Sequence, residues 1–182
     1  MKRRLSALEE QEIRRVFGGG IDCSLVRLAE DTQWTNTLAR WTARLRGGPP
    51  PDFDNAVTLG NTMHFPRPIR TSAADLASPS LGDFPWLLHE ATHVRQHQAE
   101  GLPSLMRTLK AHATFGAAVY NYGGQAGIDQ ARAQRKGLAS FNPEAQGEIS
   151  REFYRRLKKG QDVSAWEPLF TEARKSPPKI HR

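Results

Sequence analysis

Cysteine is almost missing from this chain: Cys23 stands alone in 182 residues. An intrachain disulfide is excluded, and so is a metal site built from several thiolates. No apolar run is long enough to span a bilayer, and the mean hydropathy is -0.61. The basic start Met1-Lys2-Arg3-Arg4 lacks the apolar stretch of a signal peptide, because Glu9, Glu10 and Glu12 follow at once. These absences predict a soluble protein that is cytoplasmic in the producing cell and does not use the general secretory route. Acids are also scarce, 19 Asp+Glu against 26 Lys+Arg, which leaves a net charge of +7. A chain of this length buries about two-thirds of its unfolded surface, so it folds without disulfides or a structural metal.

What is present reads as an α+β, mostly helical domain. Ser6 and Glu9 form a capping box that opens a first helix, with Leu8, Ile13 and Val16 along one side, and Gly18-Gly19-Gly20 closes it. A short strand is expected at Leu25-Val26-Arg27-Leu28. Trp34, Leu38, Trp41 and Leu45 recur at helical intervals and predict an amphipathic helix over 31–45. Gly47-Gly48-Pro49-Pro50-Pro51 breaks the chain. Residues 56–59 and 62–65 flank Gly60-Asn61 as a β-hairpin, and 66–83 reads as a loop. Asp83 as N-cap, Pro85 in the first turn and Gly101 as stop predict a helix over 84–100. Further helices are expected over 103–120, 142–159 and 164–175, with a glycine-rich turn over 121–127 and a frayed tail over 176–182.

The chemistry concentrates in the helix over 84–100, which contains His89-Glu90-Ala91-Thr92-His93. Residues four apart share a helical face, so His89 and His93 can reach one Zn²⁺, and Glu90 is placed as general base. A random shuffle of this composition yields the HExxH pattern roughly once in a hundred sequences. A third protein ligand is required. His97 lies about 12 Å along the helix from His89, too far to share the ion. Glu144 and Glu148 sit one turn apart in the helix opened by Asn142-Pro143, and either completes a His₂Glu set, Glu144 being the first choice. The other acid could fix a histidine tautomer. Candidate donors to a developing oxyanion are Tyr120, Tyr122, His112 and Tyr154.

Five stretches in order resemble a known family. They are residues 8–28, with Val16-Phe17-Gly18 and Ile21-Asp22-Cys23; Asn61 to Phe65; Leu88-His89-Glu90-Ala91-Thr92-His93-Val94-Arg95-Gln96; Tyr120-Asn121-Tyr122; and Phe141-Asn142-Pro143-Glu144-Ala145-Gln146 running into Glu152-Phe153-Tyr154. The chain resembles the small bacterial Vgr-related, Rhs-associated zinc metallopeptidases linked to type VI secretion. That resemblance implies a zincin-like fold, one zinc ion and peptide-bond hydrolysis. It matches Glu144, rather than Glu148, to the family's acidic position and Gln96 to a family glutamine, whereas Arg95 stands where an aromatic residue is common. The resemblance spans roughly residues 8–160 and implies a metallopeptidase domain over 1–160; 161–182, outside the resemblance, reads as a basic C-terminal helix and tail, either part of the same domain or frayed. The resemblance further implies a peptide, protein or peptidoglycan-peptide substrate, a Vgr- or Rhs-type partner or immunity protein, and export without a signal peptide.

Two other functions compete. One is a catalytically silent zincin-like adaptor of a secretion system. The other is a nucleic-acid-binding protein, suggested by nine cations against four acids over 151–182 and by Arg151, Arg155, Arg156 and Lys159 near one helical face. No finger, RNA-recognition or helix-turn-helix pattern accompanies them.

Overall fold

The computed structural model describes residues 2–45, 47–49, 52 and 54–175. The tail over 176–182 lies outside the described residues, as do the side chains of Leu45 and His112. Among the described residues the fold is α+β and mostly helical, with eight α-helices and one four-stranded sheet. No helix is long and apolar enough to cross a membrane.

The sheet is small and mixed. β1 (Lys2–Arg4) pairs antiparallel with β2 (Arg27–Ala29), β2 pairs parallel with β4 (Thr62–His64), and β4 pairs antiparallel with β3 (Val57–Leu59). β3 is therefore an edge strand. Side chains alternate between the two faces, and directly paired residues share a face. Arg3, Leu28, Met63 and Thr58 form one row across the four strands. Leu28 and Met63 of that row are fully buried, so this face meets the helices. The neighbouring rows, Lys2-Ala29-His64-Val57 and Arg4-Arg27-Thr62-Leu59, belong to the opposite face.

Helix positions follow the local signals closely. α1 (Ala7–Phe17) starts at the expected capping box, with both reciprocal Ser6–Glu9 bonds formed. α4 (Phe84–Glu100) has the expected bounds, with Pro85 in its first turn and Gly101 after it. Asp83 occupies the N-cap position but makes no side-chain cap bond. Its carboxylate is taken by the Arg67 guanidinium at 2.7 Å and the Arg70 N–H at 2.8 Å. α7 (Pro143–Lys158) opens at Asn142, whose side chain accepts from the Ala145 N–H.

Other elements depart from the sequence reading. The strand expected at 25–28 forms at Arg27–Ala29. The loop over 66–83 contains α3 (Ala73–Ala77), opened by its own Ser72–Asp75 capping box. The helix expected over 103–120 is α5 (Leu102–Phe115) followed by a 3₁₀ segment, Gly116–Tyr120. The glycine-rich turn is shorter than expected, because α6 (Gly124–Ala133) begins inside it. α2 (Trp34–Leu45) forms as its periodicity predicts, yet Trp34, Leu38 and Trp41 stay exposed.

The core lies between α1, α4, α7, the sheet and α8 (Glu167–Lys175). Trp166, Leu169, Phe170 and Ala173 are fully or almost fully buried, so the C-terminal helix is built into the same core. Phe153 stacks on Phe170 with centroids 4.4 Å apart, and Phe170 also meets Phe17 at 6.2 Å. Truncating a ring in such a cluster to alanine costs about 3–5 kcal/mol. α4 and α7 pack directly on each other, and this pairing builds the site.

Candidate metal centre

His89 and His93 lie one turn apart on α4, and Glu144 lies in the first turn of α7. The helix pairing brings the three together. His89 Nε2 is 3.2 Å from Glu144 Oε2, His93 Nε2 is 3.3 Å from His89 Nε2, and His93 Nε2 is 3.5 Å from Glu144 Oε2. His89 and Glu144 are buried and His93 nearly so.

Three such atoms in a tight triangle could hold a metal ion. Four-coordinate zinc with ligand bonds of 2.0–2.1 Å has ligand–ligand edges of about 3.3–3.4 Å. The triangle's 3.2, 3.3 and 3.5 Å edges bracket that value. Lone pairs of two imidazoles and a carboxylate, directed at one point away from water, repel unless a cation or protons lie between them. Burial opposes charge on His89, but Glu144 and Glu148 outweigh it and push the imidazole up to about 10. His93 is raised likewise, burial being outweighed by Glu144. The residues present thus fit a divalent cation, and His89, His93 and Glu144 would hold it.

The surrounding groups fix how these ligands point. Gln96 donates from Nε2 to Pro143 O and to Gln146 Oε1, both at 3.1 Å, so its Oε1 must be the acceptor for His93 Nδ1–H at 3.0 Å. That bond sets the tautomer and leaves the His93 Nε2 lone pair facing the triangle. Gln146 in turn donates to Phe141 O at 2.8 Å. Behind His89, Nδ1 lies 3.1 Å from Glu148 Oε1, without the alignment of a full hydrogen bond. Glu148 is tied to Arg151 at 3.2 Å. Burial alone would raise the Glu148 carboxyl, but His89 beside it holds it below its usual range. Glu144 therefore belongs to the triangle with His89 and His93, and Glu148 lies behind His89.

Gly147 permits this arrangement. A Cβ there would meet His89 Cε1 at 2.6 Å and both ring nitrogens at 2.8 Å. Only a residue without a side chain lets the α7 backbone pass over the imidazole.

Glu90 is buried on the same helix, and its Oε2 accepts a 2.8 Å hydrogen bond from Thr58 Oγ1. The sheet register explains the contact, because Thr58 pairs with buried Met63 and so faces α4. Tyr120 lies against the site with its ring centroid 6.3 Å from that of His89. The residue is 39% exposed overall, but partial desolvation of its hydroxyl, helped by Glu144, Glu90 and Glu148, pushes that group above the usual tyrosine range, which keeps it a proton donor. Tyr122 instead packs edge-on against Trp166 at 5.9 Å. Tyr154 donates to Glu12 Oε2 at 2.9 Å inside the core. His97 packs by the hairpin turn at Gly60, and His64 meets Trp34 at 5.2 Å.

Sequence reasoning missed Thr58, Gln146 and Gly147. Gly147 had a readable signal, since a glycine inside a helix usually marks a close approach. Of the cations expected near one face of α7, Arg151 pairs with Glu148 at 3.2 Å and Arg156 with Glu152 at 3.1 Å, and the neighbouring Lys158 pairs with Glu12 at 3.2 Å. No protein-family model, curated protein or solved structure matches this chain.

Proposed function

We propose that this protein is a zinc-dependent metallopeptidase of zincin-like fold. One observation carries the reading: His89, His93 and Glu144 converge at zinc-ligand spacing while Glu90 is held beside them on the same helix. When bound, the ion supplies a Lewis acid that polarises a carbonyl and makes water a nucleophile at neutral pH. Glu90 takes the proton of the attacking water and returns it to the leaving amine. Thr58 holds the Glu90 carboxylate in place, and Gln96 holds His93. The Tyr120 hydroxyl, kept protonated, donates to the oxyanion as the carbonyl carbon becomes tetrahedral. The open edge of β3 lies next to Glu90 and suits an extended peptide chain.

The sequence resemblance supports a bacterial secretion-linked effector acting on a peptide, protein or peptidoglycan-peptide substrate. The test pairs metal analysis with turnover. Wild type is expected to bind one zinc per chain and to cleave peptide substrates. Glu90→Gln is expected to keep the zinc and lose cleavage, while Glu144→Ala loses both. Full cleavage by Glu90→Gln would overturn the mechanism, and zinc without turnover on any peptide would favour the adaptor reading.

A further inference from the structure

The sheet face turned away from the metal centre combines exposed apolar side chains with cations. Trp34, Leu38 and Trp41 of α2 and Leu59 of β3 are between 40 and 59% exposed. Trp34 reaches this face through its edge-on contact with His64. His64, Val57, Thr62 and Leu59 share rows with Lys2, Arg4 and Arg27, which places those three cations on the same face. Trp34, Thr37, Leu38 and Trp41 line a shallow apolar groove of about 540 Å³. Arg40 and Arg44 lie on the same helix, and neither α2 nor any of the four strands contains an acid. Asp54 approaches through its contact with Asn36, but Arg67 already pairs with it at 2.9 Å.

We propose that α2 and this outer sheet face dock on an anionic lipid surface. Exposed tryptophans on a basic amphipathic helix match the chemistry of the headgroup region, where the ring sits among acyl chains and arginines meet lipid phosphates. Charge complementarity selects a negative surface. The aliphatic Leu38 and Leu59 favour lipid over nucleic acid, which offers them no acyl phase. The opposite face, with His89, His93 and Glu144, stays free when α2 is docked. α5 also exposes an apolar stripe, Leu102, Met106 and Leu109, but it has no tryptophan and packs on the metal-site side with α4 and α7. The proposal is independent of peptidase activity.

The experiment is sedimentation of the full chain with vesicles of phosphatidylcholine, with and without phosphatidylglycerol. Binding is expected to be at least about tenfold tighter with phosphatidylglycerol and to weaken with salt. The Trp34→Ser, Trp41→Ser double variant is expected to lose at least about tenfold of that binding. Its zinc stoichiometry, unchanged from wild type, reports an intact core. Binding indifferent to phosphatidylglycerol, binding retained by the double variant, or loss only in a Met106→Ser, Leu109→Ser variant would overturn the assignment. So would a dimer in size-exclusion chromatography that the double variant abolishes, or Trp-dependent binding to duplex DNA in place of vesicles.

Discussion

The Thr58 hydroxyl donates a 2.8 Å hydrogen bond to Glu90 Oε2, linking the edge strand of the sheet to the motif helix. Glu90 is buried and Thr58 half-buried, and the bond fixes one orientation of a carboxylate that would otherwise rotate. Thr58→Val preserves shape and removes the donor. The expected outcome is a kcat lower by about tenfold, the worth of one hydrogen bond to a charged group, with zinc content unchanged. Thr58→Ser restores most of the rate. A steady-state comparison of the three proteins, with zinc measured in each, checks this. Equal kcat in the valine variant would show that Glu90 needs no such support.

Gly147 lies over the His89 ring, and a methyl group there has no room. The ring cannot retreat, because its Nε2 faces Glu144 and its Nδ1 faces Glu148. Gly147→Ala is expected to destabilise the protein by about 1–3 kcal/mol through overpacking. It should also weaken zinc binding by more than about tenfold, since His89 must tilt out of the triangle. Thermal melts with and without zinc, together with a zinc titration, measure both effects. An alanine variant that binds zinc like wild type would mean that α7 shifts freely.

Much of this candidate centre is legible in the sequence alone. The His89–His93 spacing needs only a helix, and Asp83, Pro85 and Gly101 delimit one correctly. Glu144 was legible because Asn142-Pro143 announces a helix start with the acid in its first turn. What could not be read lies across the chain. Thr58 and Glu90 are 32 residues apart, and their contact depends on strand register. β1 is the charged triplet Lys2-Arg3-Arg4, which becomes a strand only because β2 supplies its ladder. The periodicity of α2 showed an apolar stripe but not that the stripe would remain at the surface. Tyr120 and Tyr122 are equivalent in sequence, and a 3₁₀ segment ending at Tyr120 brings that ring alone against His89.

Gln96 joins the two ligand-bearing helices through one amide, accepting from His93 and donating to Pro143 O and Gln146. Gln96→Leu keeps the volume but removes every one of these bonds. His93 can then adopt the wrong tautomer, and buried acceptors at the start of α7 lose their donor. Zinc affinity is expected to fall about 10–100-fold. Stability is expected to fall by about 1–3 kcal/mol. Competitive titration against a chelator and denaturant unfolding read the two losses separately.

Acid sensitivity should originate away from the His89–His93–Glu144 triangle, at Glu9. Burial would raise this carboxyl, yet the bidentate Arg3 guanidinium at 2.8 Å, the Thr71 hydroxyl at 2.6 Å and the Ser6 N–H at 2.7 Å hold it below the ordinary 4.5. Because the folded value lies below the unfolded one, the stabilisation is present above pH 4.5 and is lost as the pH falls through the folded value. Glu9→Gln removes the titrating group. At neutral pH the variant should be less stable by about 1.5–3 kcal/mol, because the bidentate charged pair with Arg3 is lost, leaving Arg3 paired with Glu30 at 3.0 Å. Below pH 4.5 the gap between variant and wild type should narrow, since protonated Glu9 resembles glutamine. Asp83, also held low despite burial by Arg67 and the Arg70 N–H, leaves a residual acid slope in both proteins. Urea unfolding at several pH values measures the gap, and a constant difference from pH 7 down to pH 3 would exclude Glu9 as the acid-labile group.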